Sequence, residues 1–130
     1  MPPDPRKGPI LVVEDNEVNA VIIGAMLRKR GYAALVARGG REGVEMVRDH
    51  RPGLILMDLQ MRVLDGFATA SAIRSGLGEA APPIVAVTAN PAQDVRRACH
   101  AAGFAAVIAK PIVFDELIAT VDRHLAAGGR

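Results

Sequence analysis

The stretch Ile10-Leu-Val-Val-Glu-Asp15 joins four aliphatic residues directly to two carboxylates. Four more short aliphatic runs follow along the 130-residue chain. Runs this short, rich in Val, Ile and Leu, are typical of strands buried on both faces of a parallel sheet. The predicted strands are Ile10 to Val13, Ala33 to Ala37, Leu54 to Met57, Ile84 to Val87 and Ala105 to Ala109.

The segments between these runs repeat apolar residues at the spacing of an α-helix. Gly31 follows the first segment as a helix-ending glycine would, and Asp65 and Asn90 are the expected caps of the third and fourth, with Pro91 in the first turn of the fourth. The predicted apolar stripes are Val18, Val21, Ile22, Ala25 and Met26 in the first helix and Phe114, Leu117, Ile118, Val121 and Leu125 in the last; weaker helices are predicted at 41–50, 66–75 and 91–102.

Five strand and helix units in alternation predict an α/β fold, an open parallel sheet with helices on both faces. The length fits one domain, which we place at residues 9–125, between a flexible arm at 1–8 and a short tail at 126–130. The chain is 50% hydrophobic and 23% charged, as in globular rather than disordered proteins.

Composition also argues against several partners. The net charge is only +2, and four aromatic residues without tryptophan cannot form a base-stacking platform, so no direct nucleic-acid binding is expected. The longest run of apolar residues and glycine, 101–109, is half the length of a spanning helix, so no membrane insertion is expected.

The single Cys99, expected to be a buried, inert thiol, fits a reducing compartment, and we expect a cytoplasmic location.

Polar side chains follow four of the predicted strands. They are Glu14 with Asp15, then Asp58, Thr88 and Lys110. Each alone has an ordinary explanation, such as a helix cap or a surface turn, but the carboxyl ends of parallel strands meet at one edge of a sheet. Grouped carboxylates suit Mg²⁺, and a lysine opposite Asp58 suits a phosphoryl oxygen while leaving Asp58 able to act as a nucleophile. The pattern indicates phosphoryl transfer.

Four sequence blocks carry a resemblance to a known family. They are Val12-Val-Glu-Asp-Asn-Glu17, Leu56-Met-Asp-Leu-Gln-Met61 with Asp65-Gly66, Val87-Thr-Ala89, and Lys110-Pro111. In order and spacing they resemble the response-regulator receiver domain of two-component signalling, over about residues 9–125. The resemblance implies a flavodoxin-like, doubly wound sheet of five strands in the order 2-1-3-4-5, with five helices.

The resemblance also implies roles for individual residues. Asp58 matches the phosphoacceptor. Glu14 and Asp15 match the acidic pair that binds Mg²⁺ together with Asp58 and the backbone carbonyl of Gln60. Lys110 matches the lysine that pairs with the phosphorylated carboxylate.

Other residues match the part of the family that responds to the phosphoryl group. Thr88 matches the switch hydroxyl, and Ala89 and Asn90 follow it. The Lys110–Pro111 bond is expected to be cis. The implied phosphodonor is a phosphohistidine on a sensor histidine kinase or a histidine phosphotransfer protein. The implied output is a downstream protein that binds the face formed by the fourth helix, the fifth strand and the fifth helix.

The sequence departs from the family at two positions. Val107 stands where an aromatic residue is usual, so the coupling of a ring to the threonine is not available; Phe104 is either a substitute for that ring or a packing residue. Arg62 stands where proline is common, and it either contacts phosphate or a partner or is simply solvated. Gln60 and Asn90 occupy positions that tune dephosphorylation in this family, so the phosphoryl lifetime stays open.

Three functions follow from these observations. The first is a phosphorylation-dependent receiver that acts alone, catalysing its own phosphorylation and dephosphorylation, since no effector domain fits in the remaining residues. The second is a receiver-like binding module that works without phosphate. The third is a Mg²⁺-dependent aspartyl phosphatase acting on small molecules. A domain excised from a hybrid kinase is also compatible with the sequence.

Overall fold

The computed structural model describes residues 8–61 and 65–128. Its five strands form one parallel sheet in the order β2-β1-β3-β4-β5, which is the flavodoxin-like order implied by the resemblance. The prediction of the fold class is therefore confirmed. The strands are β1 (Ile10–Val13), β2 (Ala34–Ala37), β3 (Leu54–Asp58), β4 (Ile84–Thr88) and β5 (Ala106–Ala109).

Five α-helices connect and follow these strands, and a short 3₁₀ turn, Gly78–Ala80, precedes β4. The last helix continues to Gly128, into the segment for which a tail is expected. The expected arm at 1–8 lies outside the described residues except for Gly8. The helices are α1 (Glu17–Lys29), α2 (Gly40–His50), α3 (Gly66–Leu77), α4 (Gln93–Ala101) and α5 (Phe114–Gly128).

Two apolar layers enclose the sheet, which explains the uninterrupted aliphatic runs in the strands. Alternate residues point to opposite faces, so Ile10 and Val12 lie in one layer and Leu11 and Val13 in the other. The first layer is completed by α1 and α5, and the second by α2, α3 and α4. Because both faces are covered, polar chemistry is left to the ends of the strands.

The second layer contains Phe104, whose role was open, and Cys99, for which a buried, inert thiol is expected. Phe104 is buried and packs edge-to-face against Phe67, with ring centroids 5.6 Å apart. The guanidinium of Arg74 lies over the same ring. Phe104 is thus a packing residue. Cys99 is a buried free thiol whose pKa is raised by burial, as expected of an inert cysteine.

The apolar stripe predicted for α1 is wrong in its orientation. The helix exists, but the residues that face the sheet are Ala20, Ile23 and Leu27. Val18 is 65% exposed and Val21 is 64% exposed. Most sides of α1 are apolar, so the spacing alone fits more than one buried face, and only the sheet position selects between them.

The predicted start of α4 is also wrong. The helix begins at Gln93 behind Ala92, which supplies no side-chain cap, so Pro91 lies outside the first turn. The Asn90 side chain instead accepts a hydrogen bond from the N–H of Ala92 at 3.3 Å. Asparagine can bond to the backbone two residues onward as readily as it can cap a helix, and here the local turn is preferred.

The start of α3 matches the prediction and fixes the loop near Asp58. The Asp65 side chain accepts a hydrogen bond from the N–H of Ala68 at 2.8 Å, as a cap should. Gly66 then passes so close to β3 that a Cβ atom there would lie 2.4 Å from the backbone carbonyl oxygen of Asp58. Glycine is therefore needed for the close approach of α3 to the end of β3.

The substitution Gly66→Ala is expected to lower the free energy of unfolding by about 1–3 kcal/mol, because backbone atoms must shift to admit the methyl group. Urea unfolding measures the change. The matched control is Gly76→Ala in the same helix, where a Cβ atom meets nothing within 4 Å. That change is expected to raise stability by up to about 1 kcal/mol through helix propensity. Equal effects of the two variants would contradict the close-approach argument.

Candidate functional site

The carboxyl ends of four strands meet at one edge of the sheet. Asp58 is the last residue of β3 and Thr88 the last of β4, while Glu14 directly follows β1 and Lys110 directly follows β5. In a doubly wound sheet this edge is where ligands bind. The structure thus gathers the polar side chains that the sequence singled out.

Three carboxylates form a cluster at this edge. Glu14, Asp15 and Asp58 each offer one oxygen, and these oxygens lie within 4.8 Å of one another. Glu14 is 1% exposed and Asp58 is 3% exposed, whereas Asp15 is partly open to solvent. Buried like charges repel strongly, so the cluster needs a cation.

Lys110 supplies one such cation. Its Nζ atom lies 3.1 Å from Oε1 of Glu14 and 3.3 Å from Oδ1 of Asp58. The N–H of Gln60 also donates to Oδ1 of Asp58, at 3.0 Å. Oδ1 of Asp58 is therefore held by two donors, a side-chain ammonium and a backbone amide.

The pKa values reflect this crowding. Burial, and next the adjacent Asp58 carboxyl, raise the pKa of Glu14 above its ordinary 4.5, against the lowering effects of the Asn16 N–H and of Lys110. Burial by itself would lower the pKa of Lys110, but contact with the two carboxylates outweighs it and raises the pKa above 10.5. Lys110 is thus charged at neutral pH, and Glu14 holds a proton more readily than a solvated glutamate.

The donor set fits Mg²⁺. Oε1 of Glu14 is buried and has no hydrogen-bond partner among the described residues, although it pairs electrostatically with Lys110. Such an oxygen, with two further carboxylates beside it, matches the preference of Mg²⁺ for a few carboxylates and retained waters. The Gln60 carbonyl as an additional ligand stays a prediction.

The residues after β4 are held by polar contacts. The Thr88 hydroxyl accepts a hydrogen bond from the N–H of Asn90 at 3.0 Å and donates to the Asn90 carbonyl at 3.3 Å. The N–H of Ala89 donates to Oε1 of Gln60 at 3.3 Å. The Gln60 side chain therefore joins the loop after β3 to the loop after β4, a contact that the sequence did not indicate.

The remaining predicted residues have simple placements. The Lys110–Pro111 peptide bond is cis, as expected. Val107 is half-buried and packs against the second apolar layer. Arg62 lies outside the described residues.

An apolar surface beside the site was missed by the sequence analysis. Val18, Val21 and Ile22 on α1 are exposed, and so is Val113 after β5. A cavity of about 170 Å³ between these two segments is lined by Ile22, Lys110 and Pro111, among others. We call the four exposed apolar residues Val18, Val21, Ile22 and Val113 the α1 patch. Its signal in the sequence is the second apolar stripe on α1, the one with Val18, Val21 and Ile22.

None of the helices in the described part of the chain combines the length and the apolar character that a membrane span requires. This observation stands apart from the chemistry at the strand ends.

Known proteins resemble this chain over nearly its whole length. DivK, a polar-differentiation response regulator of Brucella anthropi, is 31% identical over 116 residues, which is 89% of this chain and 94% of DivK. Hybrid signal transduction histidine kinase B of Dictyostelium discoideum is 41% identical over 128 residues, and there the match spans 6% of the kinase. The chain therefore corresponds to almost all of one relative and to a small part of another.

Solved structures agree. The receiver domain of the Pseudomonas aeruginosa sensor histidine kinase PA1611, crystallised with magnesium coordinated in its active-site cleft, is 38% identical with a TM-score of 0.83, covering 92% of this chain and 98% of that one. A chain of the co-crystal structure of Saccharomyces cerevisiae Ypd1, a histidine phosphotransfer protein, with the receiver domain of Ssk1 is 31% identical with a TM-score of 0.84, covering 93% and 90%.

The family model described as the response regulator receiver domain matches residues 10–122, almost all of the described fold. Together with the relatives and the strand order, this match establishes the family. The chain belongs to the response-regulator receiver domains of two-component signalling.

Proposed function

We propose that this receiver is a phosphorylation-dependent switch in which Asp58 accepts a phosphoryl group from a phosphohistidine, with Mg²⁺ as cofactor. The observation that carries the proposal is a buried Asp58 carboxylate 3.3 Å from the Lys110 ammonium and beside two more carboxylates at an open edge of the sheet. Such a cluster is costly to bury and is retained where it has a chemical role.

The chemistry follows from these contacts. An oxygen of Asp58 attacks phosphorus, the phosphorus–nitrogen bond to the donor histidine breaks, and the leaving imidazole keeps the electron pair and takes up a proton. Lys110 offsets negative charge on the transferred oxygens, so positioning and electrostatics provide the catalysis. Mg²⁺ held by Glu14, Asp15 and Asp58 would supply further positive charge at the same oxygens.

The alternatives have less support. A phosphatase of this type needs a carboxylate near the nucleophile that is available as a general acid or base. Glu14 and Asp15 belong to the cluster that would hold the metal, and the residue two positions after Asp58 is Gln60, an amide. A module that binds without phosphate is motivated by Val107, but it gives no reason for three clustered carboxylates and a buried lysine contact.

Asp58→Asn is expected to abolish phosphorylation, since an amide is a poor nucleophile and cannot form the acyl phosphate. Wild-type protein incubated with Mg²⁺ and a small acyl phosphate should gain one phosphate by intact-protein mass spectrometry, and the variant none. Asp49→Asn, at an exposed position on α2, is the matched control and should behave as the wild type. Unmodified wild-type protein under these conditions would count against the proposal.

Mg²⁺ is expected to raise the thermal unfolding temperature. A ligand that binds only the folded state stabilises that state by about 1.4 kcal/mol when its concentration is ten times its Kd. Protons compete with the metal for Glu14, whose pKa is raised above 4.5, so the increment should begin to shrink while the pH is still above that value. Calorimetry at several pH values, with and without Mg²⁺, measures this increment in the unfolding temperature. Glu14→Gln should reduce the increment and Glu45→Gln, an exposed control, should not; equal increments would exclude the acidic cluster as the metal site.

We further propose that the phosphodonor docks on the α1 patch. The patch includes large apolar residues that are about two-thirds exposed, and the cavity beside it is lined by Lys110, which also contacts Asp58. A domain seated there would bring its phosphohistidine to the open edge of the sheet. Exposed clustered apolar residues are typical of protein interaction sites.

Val21→Asp is expected to slow phosphoryl transfer from a histidine phosphotransfer protein at least tenfold, since a charge must be desolvated in an apolar interface. Phosphorylation by a small acyl phosphate should be unchanged, because Val21 is 64% exposed and lies outside the acidic cluster. Ala98→Asp, exposed on α4, is the control. Unchanged transfer from the phosphotransfer protein in Val21→Asp would contradict docking at this patch, whereas loss with both kinds of donor would indicate a folding defect.

For output we propose the face made by α4, β5 and α5, with a downstream protein as the partner and the cytoplasm as the location. β5 is an edge strand, and Cys99 is the buried residue of α4. The free thiol of Cys99 fits a reducing compartment.

A further inference from the structure

The Gln60 side chain connects the two loops that flank the phosphoacceptor. Its backbone N–H donates to Oδ1 of Asp58 at 3.0 Å, and its side-chain oxygen accepts from the N–H of Ala89 at 3.3 Å. One residue therefore spans the distance from the Asp58 carboxylate to the backbone that follows β4. Gln60 itself is exposed, so this contact does not arise from core packing.

Two hydrogen-bond donors at the end of β4 have partners within the protein. The Thr88 hydroxyl is engaged by the backbone of Asn90, and the Ala89 N–H is engaged by Gln60. A phosphoryl group on Asp58 adds three oxygens that each need hydrogen-bond donors or cations in a partly buried place. Gln60 contacts both Asp58, through its backbone N–H, and the Ala89 N–H, through its side chain. The phosphoryl oxygens can therefore accept a hydrogen bond from the Ala89 N–H only in competition with the Gln60 side chain.

We propose that Gln60 is a positioning residue that holds the Ala89 N–H in the unphosphorylated protein and releases it to a phosphoryl oxygen on Asp58. The inference rests on the proposed function. Its consequence is that phosphorylation exchanges the side-chain link between the two loops for a link through the phosphoryl group itself.

The exchange reaches α4 through a short stretch of backbone. Ala92 precedes the helix without a side-chain cap, and the Asn90 side chain contacts the Ala92 N–H. The guanidinium of Arg96 in the first turn donates to the Pro91 carbonyl at 3.0 Å. A shift at Ala89 is therefore passed by local hydrogen bonds to the start of α4, without a ring at Val107.

The test compares Gln60→Met, which keeps the size of the side chain but removes the acceptor, with Gln93→Met, the same exchange at an exposed position on α4. The probe is beryllium fluoride with Mg²⁺, a phosphoryl mimic that binds an aspartate carboxylate. Two quantities are measured by nuclear magnetic resonance: the Ala89 amide signal without the probe, and the apparent Kd of the probe.

Gln60→Met is expected to shift the Ala89 amide signal and to tighten probe binding about two- to tenfold, the effect of removing one competing neutral hydrogen bond. Gln93→Met should match the wild type in every measurement.

An unchanged Ala89 signal, or unchanged or weaker probe binding in Gln60→Met, would overturn the inference while leaving the proposed function intact. Failure of the wild-type protein itself to bind the probe would overturn the proposed function, and the inference with it.

Discussion

The Lys110 ammonium, placed between Glu14 and Asp58, is the interaction on which the site depends. Two nearly buried carboxylates repel each other, and contacts of 3.1 and 3.3 Å to one cation offset that repulsion. The arrangement also requires this strand order. Lys110 follows the edge strand β5, and Asp58 ends β3, so the lysine must reach across the end of β4, where neighbouring strands are about 4.8 Å apart. A long side chain with a compact charge meets that requirement.

The strands and the acidic cluster could be predicted from the sequence because their causes are local. Strands covered on both faces must be apolar at every position, as in Leu54–Met57, and the charged residues can stand only where such a run ends. The orientation of α1 could not be predicted in this way. Its two apolar stripes, one with Ile23 and one with Val21, satisfy the same spacing, and what distinguishes them is the position of the sheet, which depends on distant parts of the chain.

The hydrogen-bond partners of polar side chains in loops also could not be predicted from the sequence. Asn90 has the residue type of a helix cap, yet its side chain bonds to Ala92, because a cap and a local turn differ by little free energy. The contact of Gln60 with Ala89 joins residues far apart in sequence, and neither residue type suggests it. Contacts of this kind depend on how two loops meet, so they become visible only once the strands are placed side by side.

The absence of a ring at Val107 changes what a signal can act on. A β-branched side chain has few rotamers and no ring that could rotate from an exposed to a buried position. Val107 therefore cannot respond to a movement of Thr88 by turning inward. Backbone hydrogen bonds in the loop after β4 offer a different way to switch between two conformations. Each bond is individually weak, so exchanging one partner for another costs little free energy. α4 has a single buried residue, Cys99, and no side-chain cap at its start. Elements with little buried surface lie at the low-stability end of a fold, where a small change in a loop is enough to move a helix.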